Sequence, residues 1–224
     1  MILAMPHRTA PPLPEGRRNV LYAVRRRGEA TAEQVAEALD MTVSGARQHL
    51  SALVEAGLAE TSEASAAPGK RGRRTLLYAV TAAGDALFPK AYGELTNELL
   101  GFLDDEAPET VDRLFARRRD ARTANARRRL DPQPDLAAKV DELTRILDED
   151  GYLASWEATD DGRFLIVEHN CAIWAVARRY GQACSSELDF IQAVLEDANV
   201  ERTQHMVEGA RRCAYLVTPL PQRG

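Results

Sequence analysis

The chain has 224 residues, 45% of them hydrophobic, and a formal net charge of −5. That length buries one large core or two small ones, and no apolar run approaches a membrane span. Three cysteines are an odd number and too few for a disulfide scaffold, and the opening MILAMPHRTAPPLPEGRR lacks the long apolar stretch of a signal peptide, so a cytoplasmic, reducing setting is expected.

The prolines of the opening predict a disordered arm over residues 1–16. In RRNVLYAVRRRG the apolar Val20, Leu21 and Val24 recur at helical spacing, and Gly28 ends the helix. Thr31 caps a short helix carrying Val35, Ala36 and Leu39. Thr42 then opens TVSGARQHLSALVEAGL, whose inner stripe is Leu50, Leu53 and Val54 and whose stop is Gly57. Two short helices with a tight connection make a helix-turn-helix pattern. The second exposes Thr42, Ser44, Arg47, Gln48 and His49, side chains that reach phosphates or base edges in a major groove. Arg47 suits guanine acceptors and Gln48 suits adenine.

LAETSEASAAPGKRGRRTLLYAVT reads as strand, loop and strand, with Leu76, Tyr78 and Val80 alternating. Lys70, Arg71, Arg73 and Arg74 sit on the loop tip, a basic wing suited to the minor groove or flanking phosphates. The front is mildly basic to match. Residues 1–88 hold 11 Lys and Arg against 9 Asp and Glu, net +2, whereas residues 89–224 hold 18 against 25, net −7. DNA binding needs a local positive surface rather than a basic chain. A winged-helix domain over residues 17–88 follows, with a double-stranded DNA operator of two half-sites as its partner.

A helix over residues 89–103 carries Tyr92, Leu95, Leu99, Leu100 and Phe102 on one face and is a candidate homodimer seam. Two more helices are broken at Asp131-Pro132-Gln133-Pro134. Arg117–Arg119 and Arg127–Arg129 read as a solvated face with acidic partners, DNA contact being the alternative. Leu136, Val140, Leu143 and Leu147 repeat at helical spacing, completing a helical linker and dimerisation region over residues 89–147.

Residues 148–218 read as strand, strand, helix, helix, strand, strand, with a tail at 219–224. The first hairpin turns at Asp160-Asp161-Gly162, and Phe164, Ile166 and Glu168 face one way. Cys171 lies at the strand exit, Cys184 at a helix start and Cys213 in the last strand. No CxxC pair is present, so spacing leaves three readings open: core cysteines, metal or cluster ligands, and a redox disulfide. The fold class is α+β: an N-terminal winged helix-turn-helix, central helices for dimerisation and a small mixed α/β C-terminal domain.

VSGARQHLSALVEAGL, GRRTLLYAVTAAGDALFP, IVEHNCAIWAVARRYGQACSSELDFIQAVL and VERTQHMVEGARRCAYLV carry a resemblance from Arg17 to Thr218. The chain resembles the Suf-type iron–sulfur transcriptional repressors, winged-helix proteins related to the DeoR and ArsR groups. The resemblance implies a homodimer with an iron–sulfur cluster in each C-terminal sensor domain, repressing genes of cluster assembly and releasing DNA on cluster loss. The family's four-cysteine motif falls on Cys171, Cys184, Ala198 and Cys213, and alanine cannot ligate. The resemblance therefore implies a [4Fe–4S] cluster with one iron lacking a cysteine, or a [3Fe–4S] or [2Fe–2S] form. His205 is the first candidate for the open position, before His169, Glu201, Asp197, Asn170, or an exogenous thiol or water. The alternative is a winged-helix repressor sensing zinc or a small organic ligand, with structural cysteines. An enzyme is not expected, since no glycine-rich phosphate loop lies between a strand and a helix.

Overall fold

The computed structural model describes residues 13–63 and 75–221, and the chain divides into two compact units, one ending at Lys90 and one beginning at Ala91. The wing-tip residues Lys70, Arg71, Arg73 and Arg74, and the expected arm as far as Pro12, lie outside the described residues.

In the first unit α1 spans Glu15–Arg27, so the last two residues of the expected arm are helical. Pro14 precedes this helix with a φ of −50°, which suits a helix start. Gly28 ends it at φ 77°, a conformation that favours glycine. Helix α2, Ala32–Ala38, opens on a capping box: Thr31 Oγ1 accepts from the Gln34 amide at 3.2 Å, and Gln34 Oε1 accepts from the Thr31 amide at 2.9 Å. Helix α3, Val43–Glu55, is capped by Thr42, whose hydroxyl accepts from the Gly45 amide at 3.1 Å. Strands β1 (Glu29–Ala30), β2 (Ala59–Glu63) and β3 (Leu76–Val80) form an antiparallel sheet in the order β1-β3-β2. The helices close a core of Val20, Val24, Val35, Leu50 and Leu53 over Tyr78. Val80 packs against that core, whereas Leu76, at the wing end of β3, is exposed. The one-turn helix α4, Ala82–Asp85, sits hard against the end of α3. A Cβ on Gly84 would fall 2.1 Å from the Leu58 carbonyl oxygen.

The second unit begins with α5 (Tyr92–Glu106), α6 (Pro108–Leu130) and α7 (Leu136–Glu149). Pro108 separates α5 from α6 because it drives Ala107 out of the helical region, to φ −156°. Asp135 restarts the chain after Pro134 by capping α7, its carboxylate accepting from the Ala138 amide at 2.8 Å. Strands β4 (Ala154–Ala158) and β5 (Phe164–Glu168) form the first hairpin. The single turn α8 (Trp174–Ala177) and helix α9 (Gly181–Val194) follow. Strand β6 (Ala198–Gln204), a 3-10 turn (Met206–Glu208) and β7 (Cys213–Pro219) close the chain. The sheet is antiparallel throughout, in the order β4-β5-β7-β6. Val140, Leu143 and Leu147 of α7 and Phe190, Ile191 and Val194 of α9 cover its inner face, Ile166, Tyr215 and Val217. The fold is thus α+β, with a helix-turn-helix region in front and a mixed α/β region behind.

Helix α5 begins three residues later than the pattern over residues 89–103 suggests and buries no residue. Its inner positions Leu100 and Leu103 are only partly buried, against α6 and α8. Its outer stripe is open: Tyr92 is 71% exposed, Leu95 51%, Leu99 54% and Phe102 59%.

Candidate functional site

The recognition helix presents a divided surface. Ala46, Leu50 and Leu53 are buried, while Thr42, Ser44, Arg47 and Gln48 are exposed on its first two turns. The division follows from helical spacing, since one face is spent on the core and the other stays in water. Arg47 Nη2 donates to Glu33 Oε1 of α2 at 2.6 Å, and both side chains remain more than half exposed. His49 differs from its neighbours. It is half-buried, and its ring lies against α1, where a Cβ on Gly16 would stand 3.2 Å from His49 Cε1.

In the second unit the fold draws the three cysteines into one region. Cys171 and Cys184 are half-buried beside Val111, Phe115 and Ala177, and Cys213 is buried in the sheet core. Burial pushes all three thiols up, and each also feels the charge another would carry: Cys184 on Cys171, Cys213 on Cys184, Cys171 on Cys213. These surroundings favour the neutral thiol. Cys213 Sγ accepts from the Met206 amide at 3.4 Å.

Four of the candidates for the open iron position have partners of their own. Arg202 Nη1 donates to His205 Nε2 at 3.1 Å. A guanidinium has no acceptor, so the proton of a neutral His205 sits on Nδ1, 3.2 Å from Glu208 Oε1. His169 Nε2 pairs with Ser155 Oγ at 2.9 Å, Asn170 donates to the Gly151 carbonyl at 2.7 Å, and Asp197 pairs with Lys139. Glu201 is exposed. Among the described residues no group of three or more His, Cys, Asp and Glu side chains could hold a metal ion. The expectation of an iron–sulfur cluster, whether [4Fe–4S], [3Fe–4S] or [2Fe–2S], is therefore corrected, and the zinc alternative falls with it. With the cluster go the ligand roles expected of Cys171, Cys184, Cys213 and His205.

What the region holds instead is a pair of buried carboxylates. Glu168 is 3% exposed and Glu187 is 4%. Glu168 lies opposite Cys213 in the β5–β7 register and accepts from Tyr215 Oη at 3.3 Å. Glu187 Oε2 accepts from Arg122 at 2.6 Å and from Tyr152 Oη at 3.1 Å. The Oε1 atom of each is buried without a hydrogen-bond partner. Burial, helped by the nearby charge of Glu187, pushes the Glu168 carboxyl up to about 8. The strand pattern had already put Glu168 on the side of Ile166. Glu187 carried a signal that went unread: it falls on the inner stripe of α9, with Ala183, Phe190, Ile191 and Val194. The arginine runs of α6 do find acidic partners, Asp189 for Arg119, Glu196 for Arg127, and Glu142 and Glu149 for Arg129.

Helices α2 and α3 with the β2–β3 hairpin make the front unit a helix-turn-helix of the winged type, a DNA-binding regulatory module. Residues 14–61 match the model of the bacterial regulatory protein, arsR family. Among solved structures, a MarR family regulator from Neisseria meningitidis is 26% identical. That match covers 46% of this chain and 70% of the other, with a TM-score of 0.28. Curated proteins offer no match. Among the described residues no helix is long and apolar enough to cross a membrane.

Proposed function

We propose that the protein is a homodimeric transcriptional repressor that sets α3 into the major groove of an operator with two half-sites. The observation that carries this is the divided face of α3, with Thr42, Ser44, Arg47 and Gln48 left in solvent by a helix whose other side is fully used. Arg47 offers a bidentate fork to guanine, Gln48 pairs with adenine, and Thr42 and Ser44 hold phosphates. His49 steadies the helix against α1. The basic residues Lys70, Arg71, Arg73 and Arg74 serve as a wing on the flanking backbone.

The dimer reading rests on α5. Tyr92, Leu95, Leu99 and Phe102 stand at intervals of three and four residues, all more than half exposed. A continuous stripe of large apolar side chains is a contact surface rather than scattered exposure, and two copies sharing it would supply the pair of reading heads. Such dimers place their half-sites about 34–36 Å apart. With the cluster removed, genes of cluster assembly lose their claim as the target.

The test is selection of binding sites from a random DNA pool by the full-length protein, then titration of the best site with wild type and Arg47→Ala. A twofold-symmetric site should emerge. The variant should lose about 1–3 kcal/mol of discrimination while its melting temperature holds. Equal operator affinity in the two proteins would displace α3 from the groove.

A further inference from the structure

Two cavities in the C-terminal unit share the side chains of Arg118 and Ile173. One, of about 310 Å³, is walled by Leu100 of α5, Phe115 of α6, and Ile173 and Val176 beside α8. Its lining is mostly apolar, with Thr96 and Arg118 as the polar members. The other, of about 330 Å³, is walled by Arg118, Arg122, Asn125 and Arg129 of α6 with Tyr152 and Asp150. Each volume suits a small organic molecule. Together they set an apolar chamber beside one lined by arginines, and Arg118 and Ile173 form the wall common to both.

The three guanidiniums are not equivalent. Arg129 is committed to Glu142 and Glu149. Arg122 is committed to Glu187 and Asp150 and lies 4.3 Å above the Phe190 ring. Arg118 makes no hydrogen bond among the described residues. Its one ion contact is Glu187 Oε2 at 3.8 Å, an oxygen already taken by Arg122 and Tyr152. Arg118 thus keeps a full fork of donors, the group best shaped to clasp a carboxylate. Asn125 adds an amide nitrogen, its oxygen being used by Arg128. Asp150 and Glu187 offset Arg118 and Arg122, and Glu142 with Glu149 more than offset Arg129, so the chamber has no excess positive charge and suits a head group with one negative charge at most, held by the free donors of Arg118.

We propose that the joined cavities form an effector site for a monocarboxylate with an apolar body, its head on Arg118 and its tail between α5, α6 and α8. The site lies directly under the proposed dimer helix. Thr96 and Leu100 of α5 line the apolar chamber, and the adjoining exposed face of α5 carries Leu95, Leu99 and Phe102. Helix α5 is also fastened to α8. Asn97 Nδ2 donates to the Ala175 carbonyl at 2.8 Å, and a Cβ on Gly93 would fall 2.5 Å from Ala175 Cβ. A tail wedged between these helices shifts α5, and with it the proposed dimer seam. That coupling rests on the dimer reading, but the binding site itself does not.

Calorimetric titration of the full-length protein with decanoate, 1-decanol and decylammonium tests the charge preference. Decanoate should bind, the alcohol roughly 10- to 100-fold more weakly as the charged hydrogen bonds are lost, and the ammonium not at all. Arg118→Gln should weaken decanoate by a similar factor and leave the alcohol unchanged. Leu100→Trp, which fills the apolar chamber, should abolish binding of both, with folding checked by circular dichroism. Failure of decanoate to bind, or equal decanoate affinity in wild type and Arg118→Gln, overturns the proposal. A protein that binds decanoate with the expected dependence on Arg118, yet selects no DNA, leaves this site standing and counts against the repressor reading.

Discussion

Raising the pH from about 6 to about 8 should weaken the C-terminal unit, because Glu168 keeps its proton in the fold and loses it in the unfolded chain. Its carboxyl is pushed up from an ordinary 4.5 to about 8, first by burial and then by the charge of Glu187. The Tyr215 hydroxyl and the guanidiniums of Arg122 and Arg202 oppose that rise. Between those two values the folded state binds the extra proton, so unfolding free energy falls as pH rises and levels off above about 8. Each unit in that window is worth about 1.4 kcal/mol, so the step from about pH 6 to about pH 8 costs about 2–3 kcal/mol. The thiols of Cys171, Cys184 and Cys213, raised from an ordinary 9.0, titrate above the window and do not confuse it. The assay is urea unfolding of the full chain at a series of pH values, followed by the emission of Trp156, which packs against the same core. Glu168→Gln keeps an acceptor for Tyr215 and carries no charge, so its stability should be nearly flat across the window. Equal slopes in wild type and Glu168→Gln, or a wild type that gains stability with pH, would refute the reasoning.

Three further outcomes follow from the geometry. Leu95→Glu with Leu99→Glu should turn a dimer into a monomer in sedimentation velocity with the melting temperature held, since neither side chain is buried within its own unit. Gly84→Ala should cost about 1–3 kcal/mol of front-unit stability by overpacking, because its Cβ meets the Leu58 carbonyl oxygen at 2.1 Å and Val80 Cγ1, on a stiff β-branched side chain, at 2.9 Å; thermal melting of the full chain reads it. Thr31→Ala removes half of the capping box and should cost about 1 kcal/mol, seen as a lower urea midpoint with α3 unchanged.

By itself the sequence determined what depends on near neighbours. Thr31 with Gln34, and Thr42 with the Gly45 amide, lie within one turn of each other, so the starts of α2 and α3 could be read directly. Gly28 and Gly57, at φ 77° and 70°, mark ends that other residues would strain to make. The strand and helix order of the C-terminal unit was legible for the same reason, as apolar periods of two and of 3.6 are local properties. Tertiary structure alone decided what the cysteines and acids become. A resemblance placed Cys171, Cys184 and Cys213 around iron, but spacing along a chain says nothing of solvation. In the fold burial pushes the thiols up, no group of three or more His, Cys, Asp and Glu side chains among the described residues could hold a metal ion, and Arg202 with Glu208 claims His205. The same burial leaves Glu168 protonated and Arg118 with donors to spare, because charge state and hydrogen bonding answer to neighbours dozens of residues away, which only the packed chain supplies.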